Sequence, residues 1–462
     1  MKIKRIVTTL LVPFLLVSVS HAQIPVVGGK GAGLSAIAGT DTLVTVVLKG
    51  SGAKDPNLKV VAVEGGILTV RTQTGQVTSY RVADVQEIQV QGEVMKVRAV
   101  DLMADRGMTS DQQEIVSRAL VRATELFNAS VANQSLRMYT AEILAVGGVA
   151  GDVPGEALGG SILPKQQAID YLTALVNGND LRTGITAALH LSIAGQPIPS
   201  PTIIQDGLAS GDRLVKSSAA KLAGLTEDRS VMPELRLMIQ DRAANISAPA
   251  ARALSTLGDK DIIPTLIAMA VDRNPDKAEA GCVGLIKLGD ESVAQQLKMK
   301  LKDTEGLARF RVAWVLHDLG DPQGGAVLRD ELMEVPSLQF DSARVLALKG
   351  DVKAMQYLRD WLGQRRDPSE SLLIQRAQAT HALIKAGDRT NAGVLQDVIR
   401  EGSANVQITA LKLIADLDIN AFLPMILPVL TSNDPATVVT ACQTAVAVAN
   451  NDYGQRLRVQ RS

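Results

Sequence analysis

The 462-residue chain carries 48 basic and 48 acidic side chains, so it offers no excess of positive charge for neutralising nucleic-acid phosphate. It is 46% hydrophobic and only 3% aromatic, a balance that suits helices packed through Ala, Leu and Val. With 2 Cys in the whole chain it is not a disulfide-built scaffold.

Residues 1–22 read as a secretory signal peptide. Lys2, Lys4 and Arg5 form a basic start, Ile6 to Val19 is an apolar stretch broken by Pro13, and Ser20-His21-Ala22 places small residues at the cleavage site. Cleavage near Ala22 makes the mature chain an exported protein, periplasmic or extracellular, without stable membrane insertion. It also removes three basic residues, leaving 45 against 48 and a net charge near −3. Residues 23–40 come next as a flexible, Gly-rich linker. Its Gly28-Gly29-Lys30-Gly31-Ala32-Gly33 lacks the flanking strand, helix and Lys-Ser/Thr pair of a phosphate-binding loop.

Over residues 41–103 the period changes to two and β-branched residues dominate, which marks a separate small β domain. Strands are expected at Thr42–Lys49, Leu58–Val63, Ile67–Thr72, Gln76–Val82, Val85–Val90 and Val94–Val100. Turn signals at Gly50-Ser51-Gly52, Gly65-Gly66 and Thr74-Gly75 divide them. Strands this short resemble an SH3-like or Sm-like barrel, with Val77 to Ile88 as the closing segment. Tyr80 is the domain's single aromatic residue, which argues against the aromatic groove that reads proline-rich peptides.

Residues 108–176 read as N-terminal helices that cap a helical array. Met108 to Val146 predicts two helices, the first capped by Ser110 with Gln113 three residues on, and Lys165–Val176 predicts another. Between them the Gly-rich segment 147–163 is expected to be an irregular loop.

Residues 181–450 are repetitive. Leu257-Gly258-Asp259, Leu288-Gly289-Asp290 and Leu319-Gly320-Asp321 recur at steps of 31, and Lys349-Gly350-Asp351, Ala386-Gly387-Asp388 and Asp416-Leu417-Asp418 continue at 30, 37 and 30. Counting back from each Asp finds an apolar residue and, three before it, a small one: Leu254/Ala251, Leu285/Cys282, Leu316/Ala313, Leu346/Ala343, Leu383/Thr380 and Leu413/Ala410. Residues three apart share a helix face, so this stripe is the buried side of a first helix. Gly ends that helix and Asp caps the next. The second helices read Ile262–Val271, Ser292–Lys302, Gln323–Met333, Val352–Leu362 and Thr390–Arg400. Earlier units pair Leu181–Ala194 with Thr202–Ala209, and Asp212–Leu225 with Met232–Gln240, giving about eight pairs before a last helix, Pro435–Asn450. The step of 37 reflects an insertion at Gln364 to Ser369.

This pattern resembles the HEAT repeat family, in the short bacterial form also seen in phycobilisome-lyase-like repeat proteins. The resemblance implies a mainly α protein, an α-solenoid or armadillo/HEAT-type superhelix, preceded here by the small β barrel. The lyase-like relatives attach bilins inside cells, which an export signal does not suit.

No residue set identifies a reaction, and neither cofactor nor metal is expected. His190, His317 and His381 fall on first helices of three separate repeats, and the recurrent Asp residues are explained as caps. Cys282 and Cys442 lie five repeats apart, too far for one disulfide in a regular stack. The last segment, 451–462, reads as a solvated basic tail with Arg456, Arg458 and Arg461. The candidate binding patch is Tyr357, Arg359 and Trp361 on a second helix, with Arg365 and Arg366 beside it, because second helices of such arrays line the concave surface. The functional expectation is a non-catalytic binding or scaffold protein holding a protein or peptide. Its alternatives are an assembly or regulatory subunit of an envelope complex recruited through the β domain, and a lyase-like enzyme or cofactor carrier.

Overall fold

The computed structural model describes residues 43–48, 53–64, 67–81, 85–90, 93–96, 108–148, 155–157, 160–289, 291–364 and 369–461. The segments expected to be a signal peptide (1–22) and a linker (23–40), with Asp290, Arg365 and Arg366, lie outside the described residues. The protein is mainly helical, with one antiparallel sheet near its N-terminus.

That sheet is built from β1 (Leu43–Leu48), β2 (Lys54–Glu64), β3 (Ile67–Thr72), β4 (Val77–Arg81), β5 (Val85–Val90) and β6 (Glu93–Lys96), in the order β4-β3-β2-β1-β5-β6. Alternate residues Val44, Val46, Leu58, Val60, Leu68, Val70, Val85 and Ile88 bury one face. Tyr80 lies partly buried against them and donates its hydroxyl to Asp55 at 2.5 Å. Burial, with that hydrogen bond second, pushes the phenol up to about 12. The expected barrel is not closed. Among the described residues β4 and β6 are both edges, and the segment expected to close it instead supplies an edge strand and the partner of β1. The sheet is nevertheless strongly curled. In a flat sheet β4 and β5 would stand roughly 19 Å apart, yet the chain from Arg81 to Val85 reaches only about 14 Å.

The helical part opens with α1 (Ser110–Ala129) and α2 (Gln134–Gly147). The cap of α1 falls one residue before the expected Ser110: Thr109 accepts from the Gln112 N–H, and Gln112 Oε1 accepts from the Thr109 N–H at 2.9 Å. The segment expected to be irregular contains a short hairpin, β7 (Gly155–Ala157) and β8 (Gly160–Ile162), docked on α1 through the buried Ile162. After α3 (Lys165–Val176) first and second helices alternate. The pairs are α4 (Leu181–Ile193) with α5 (Ile203–Ala209), α6 (Arg213–Leu225) with α7 (Met232–Met238), α8 (Ala244–Thr256) with α9 (Ile263–Ala270), and α10 (Pro275–Leu288) with α11 (Glu291–Lys302). They continue as α12 (Gly306–Asp318) with α13 (Pro322–Glu334), α14 (Gln339–Leu348) with α15 (Val352–Gln364), α16 (Glu370–Lys385) with α17 (Gly393–Glu401), and α18 (Ala404–Leu417) with α19 (Leu427–Leu430). The chain ends in α20 (Pro435–Ala449) and α21 (Asn451–Arg461).

The register of the repeats is set by a left-handed residue after seven of the eight first helices from α4 to α18; α10 instead ends on Gly289 at φ −18. Gly195, Glu227, Gly258, Gly320, Gly350, Gly387 and Asp418 all have positive φ. The last of these shifts the final unit by one residue: Asp418 (φ 54) holds the glycine's place rather than the capping aspartate's. Ile414 and Leu411 are therefore the fully buried pair, while the expected Leu413 is only partly buried. In the other units the expected pairs are buried, from Leu254/Ala251 through Leu383/Thr380.

Small residues on the first helices let them approach one another. Each first helix from α4 to α20 packs directly on the next, whereas successive second helices share at most marginal contact among the described residues. The first helices thus form the inner layer of the curve and the second helices the outer one. The curve also closes, since α20 packs on α1 and α2, and α2 packs on α4. The N-terminal helices bury their faces against the end of the array instead of capping an open end.

Within the circuit the first helices pack least closely around α12 and α14, and a separate core cluster begins there. Phe310, Trp314, Phe340, Tyr357 and Trp361 belong to that cluster or pack against it. Aromatic volume fills the wider gaps that small residues cannot.

Candidate functional site

The residues that join the two ends of the helical array form a buried polar cluster drawn from four helices. Glu142 sits in the apolar run Ala141-Glu142-Ile143-Leu144-Ala145 of α2 and is fully buried. Its Oε1 accepts from the Tyr453 hydroxyl at 2.6 Å and from Gln443 Nε2 at 3.1 Å, and its Oε2 lies 2.6 Å from His190 Nδ1. Four helices, α2, α4, α20 and α21, each contribute one member. Tyr139 sets its ring edge-on to His190, with centroids 4.7 Å apart. A carboxyl, an imidazole and a phenol in sequence could in principle relay protons. Here the three are sealed, with Glu142 and Tyr453 at 0% and His190 at 4% exposure, so a substrate has no route to them. The cluster acts as a clasp.

Further bonds reinforce it. Gln112 Nε2 donates to the Asn420 carbonyl at 3.1 Å, and Arg456 Nε donates to the Ile193 carbonyl at 2.7 Å. Burial pushes the Arg456 guanidinium below its ordinary value, opposed by the charge of Asp452. The last segment is accordingly not a solvated tail. Tyr453 and Leu457, one helical turn apart, bury the inner stripe of α21, and Arg456 and Arg458 turn toward backbone carbonyls of the array. An 11-residue helix is about 16 Å long. Because α21 touches α4, α6 and α18, which lie on opposite arms of the circuit, it crosses the opening rather than lying outside.

Asp259, Asp321, Asp351 and Asp388 cap as expected and do one thing more. Asp321 accepts from the Gln323 N–H at 2.9 Å and Asp388 from the Thr390 N–H at 2.9 Å. A cation on the preceding second helix then reaches each one: Arg236 to Asp259 at 2.7 Å, Lys298 to Asp321 at 2.6 Å, Arg329 to Asp351 at 2.8 Å and Arg359 to Asp388 at 2.7 Å. The sequence carries this ladder as a Lys or Arg eight residues after the Asp of Gly-Asp: Asp290 to Lys298, Asp321 to Arg329, Asp351 to Arg359.

Arg359, expected in a binding patch, is therefore a rung of the ladder. Tyr357 and Trp361 are half-buried on α15, in the outer layer and not on a concave surface, and Trp361 packs on Phe340 with ring centroids 4.8 Å apart. Arg365 and Arg366 lie outside the described residues.

His317 and His381 stay apart from the clasp. His381 Nε2 is bound to Asp416 at 2.8 Å, while the buried His317 Nε2 has no partner among the described residues. Burial first, then the charges of Lys349 and Arg329, push the His317 imidazole below its ordinary value. Cys282 and Cys442 are free and buried, and burial pushes each thiol up to about 12. Among the described residues no three His, Cys, Asp or Glu side chains gather as a metal site, and no helix is long and apolar enough to cross a membrane.

Neither a protein family nor a curated protein matches this chain. Among solved structures, human deoxyhypusine hydroxylase in complex with glycerol is similar over 62% of this chain and 96% of its own, at 17% identity and a TM-score of 0.26. An engineered protein is similar over 74% of this chain and 99% of its own, at 15% identity and a TM-score of 0.26. Superpositions this loose carry no inference about activity.

Proposed function

We propose that this is an exported HEAT-type repeat protein, led by a signal peptide over residues 1–22, that holds a protein or peptide partner without catalysing a reaction on it. The observation that carries this reading is α21. The inner wall of first helices already holds a helix, gripped by an apolar stripe at Tyr453 and Leu457 and by Arg456 bound to a helix-terminal carbonyl. A partner helix or extended peptide with the same chemistry would use the same kind of wall. The curled sheet ahead of it is an SH3- or Sm-like module in this reading, and its strand β4 offers an edge for pairing.

The test is a pull-down with the chain from Gln23 onward, from the extracytoplasmic fraction of its own source, with mass spectrometry of retained proteins and small molecules. A stoichiometric protein partner is expected. A retained chromophore, metal or small molecule without any protein would overturn the reading in favour of a carrier or enzyme.

A further inference from the structure

Helices α6 and α8 and the end of α21 enclose a cleft lined by Lys221, Arg252, Thr256 and Gln460. Its floor is apolar and close-packed, with Gly224 set against Ala253. Lys221 is half-buried, and among the described residues it makes neither a hydrogen bond nor an ion pair. Arg252 has one carboxylate neighbour, Glu279, at 3.6 Å, beyond hydrogen-bond distance, and its buried Nε is without a partner among the described residues. Behind them Lys287 Nζ donates to Thr256 Oγ1 at 2.8 Å, which brings a third cation to the same wall.

Withdrawing a cation from water is unfavourable unless an anion or a set of acceptors compensates it. On this cleft Lys221 lacks that compensation among the described residues, and Arg252 has it only in part, from Glu279 at 3.6 Å. We propose that the cleft is an oxyanion site, in which Lys221 and Arg252 take a carboxylate or phosphate group, with Thr256 and Lys287 behind them. Arg252 supplies the planar fork and Lys221 the point charge that oxyanions are recognised by. Burial and the Arg252 charge push the Lys221 ammonium below its ordinary value with no anion opposing them, and Lys287 is pushed the same way by burial, against the opposing charge of Glu227. The cleft holds about 20 Å³, room for roughly one oxygen-sized group. It therefore takes only the charged end of a ligand whose remainder lies outside the cleft.

The experiment is thermal unfolding of the full chain in inorganic phosphate, in acetate and in chloride at matched ionic strength. Phosphate or acetate is expected to raise the midpoint above its value in chloride, and the larger shift names the phosphate or the carboxylate source. Lys221→Met keeps the aliphatic stem and removes the charge, so it should abolish the anion-dependent shift while raising the midpoint in plain buffer. Arg252→Gln, as a second variant, should weaken binding of the effective anion about tenfold or more in isothermal titration. Equal midpoints in all three salts would overturn the proposal, as would a shift that Lys221→Met leaves intact or an affinity that Arg252→Gln leaves unchanged.

Discussion

Tyr453→Phe isolates the clasp with a single atom. The hydroxyl it deletes donates to Glu142 at 2.6 Å, inside a cluster in which both residues are fully buried, so no water can take its place. A net hydrogen bond contributes about 0.5–1.5 kcal/mol, and one to a charged group about 1.5–3 kcal/mol. Glu142 keeps its bonds to Gln443 and His190, which places the expected loss near ~2 kcal/mol. Glu142→Ala is harsher, since it strands the Gln443 amide, the Tyr453 hydroxyl and His190 together, and about 3–5 kcal/mol is expected. Urea unfolding gives the loss, and amide exchange locates it, with protection falling together in α1, α2, α20 and α21, whose chain positions are remote. The double variant Tyr453→Phe/Glu142→Ala should cost little more than Glu142→Ala alone. A Tyr453→Phe loss under about 0.5 kcal/mol, the usual range for a surface change, would refute the clasp. So would two losses that add.

Acid should weaken the ladder, and the separate Asp416 pair with His381 and Lys385, in a defined window. Asp388 is held at about 2, first by the Thr390 hydroxyl and then by its N–H and Arg359; Asp416 is held at about 2 because the His381 bond and the Lys385 charge outweigh burial. With unfolded values near ~3.9, their stabilisation is complete above about pH 4 and disappears as pH falls toward about 2, and Arg359→Met should flatten that slope. His317 acts higher on the scale: its folded value is depressed, so the stability it confers is present above an unfolded value of about 6.5 and declines as pH falls below it. His317→Gln should remove the decline below about pH 6.5, measured by urea midpoints across pH. Glu227 adopts a left-handed backbone (φ 54) that costs an L-residue roughly 1–2 kcal/mol, so Glu227→Gly should raise stability by up to about 1 kcal/mol, and a loss would contradict the left-handed register of the repeats. Trp361→Ala should lower stability by about 2 kcal/mol, roughly half the value for a fully buried ring, and a loss within about 0.5 kcal/mol would return the side chain to the surface.

The repeat was legible because its signals are local. Gly-Asp ends one helix and starts the next within two residues, and the small-apolar stripe lies within one turn, so the strands and most helix bounds fall within a few residues of expectation. The exceptions share a cause. At Asp418 the left-handed place is filled without glycine, so counting from the aspartate shifted the face by one. In residues 451–462 three arginines suggested solvent, and the stripe of Tyr453 and Leu457 is too short to stand out beside them. The clasp had a signal of a subtler kind: α20 carries no charged residue on any face and mixes small apolar residues with a few Thr and one Gln, and a helix without a charged face is covered on every side. Its coverings lie some 300 residues away in sequence, and no local pattern carries that distance.

Closure is a consequence of the layering. Close contact between first helices and wider spacing between second helices makes every unit a wedge, and wedges in series turn the chain back on itself. With ten helices in the inner circuit, α2 and then the even-numbered helices from α4 to α20, an interaxial distance of about 9 Å gives a circumference of about 90 Å and a diameter near ~29 Å. Subtracting a helix radius of about 5 Å on each side leaves an opening of about 19 Å, wide enough for one helix with its side chains. That helix is α21. An open array is a chain of nearest neighbours whose exposed ends need polar caps and can fray. Once the ends bury each other there is no terminal unit, and fraying anywhere must first break the clasp or a first-helix contact. A partner that enters the opening must share it with α21 or displace it, so clasp strength and partner affinity should be coupled, with Tyr453→Phe loosening the first and favouring the second.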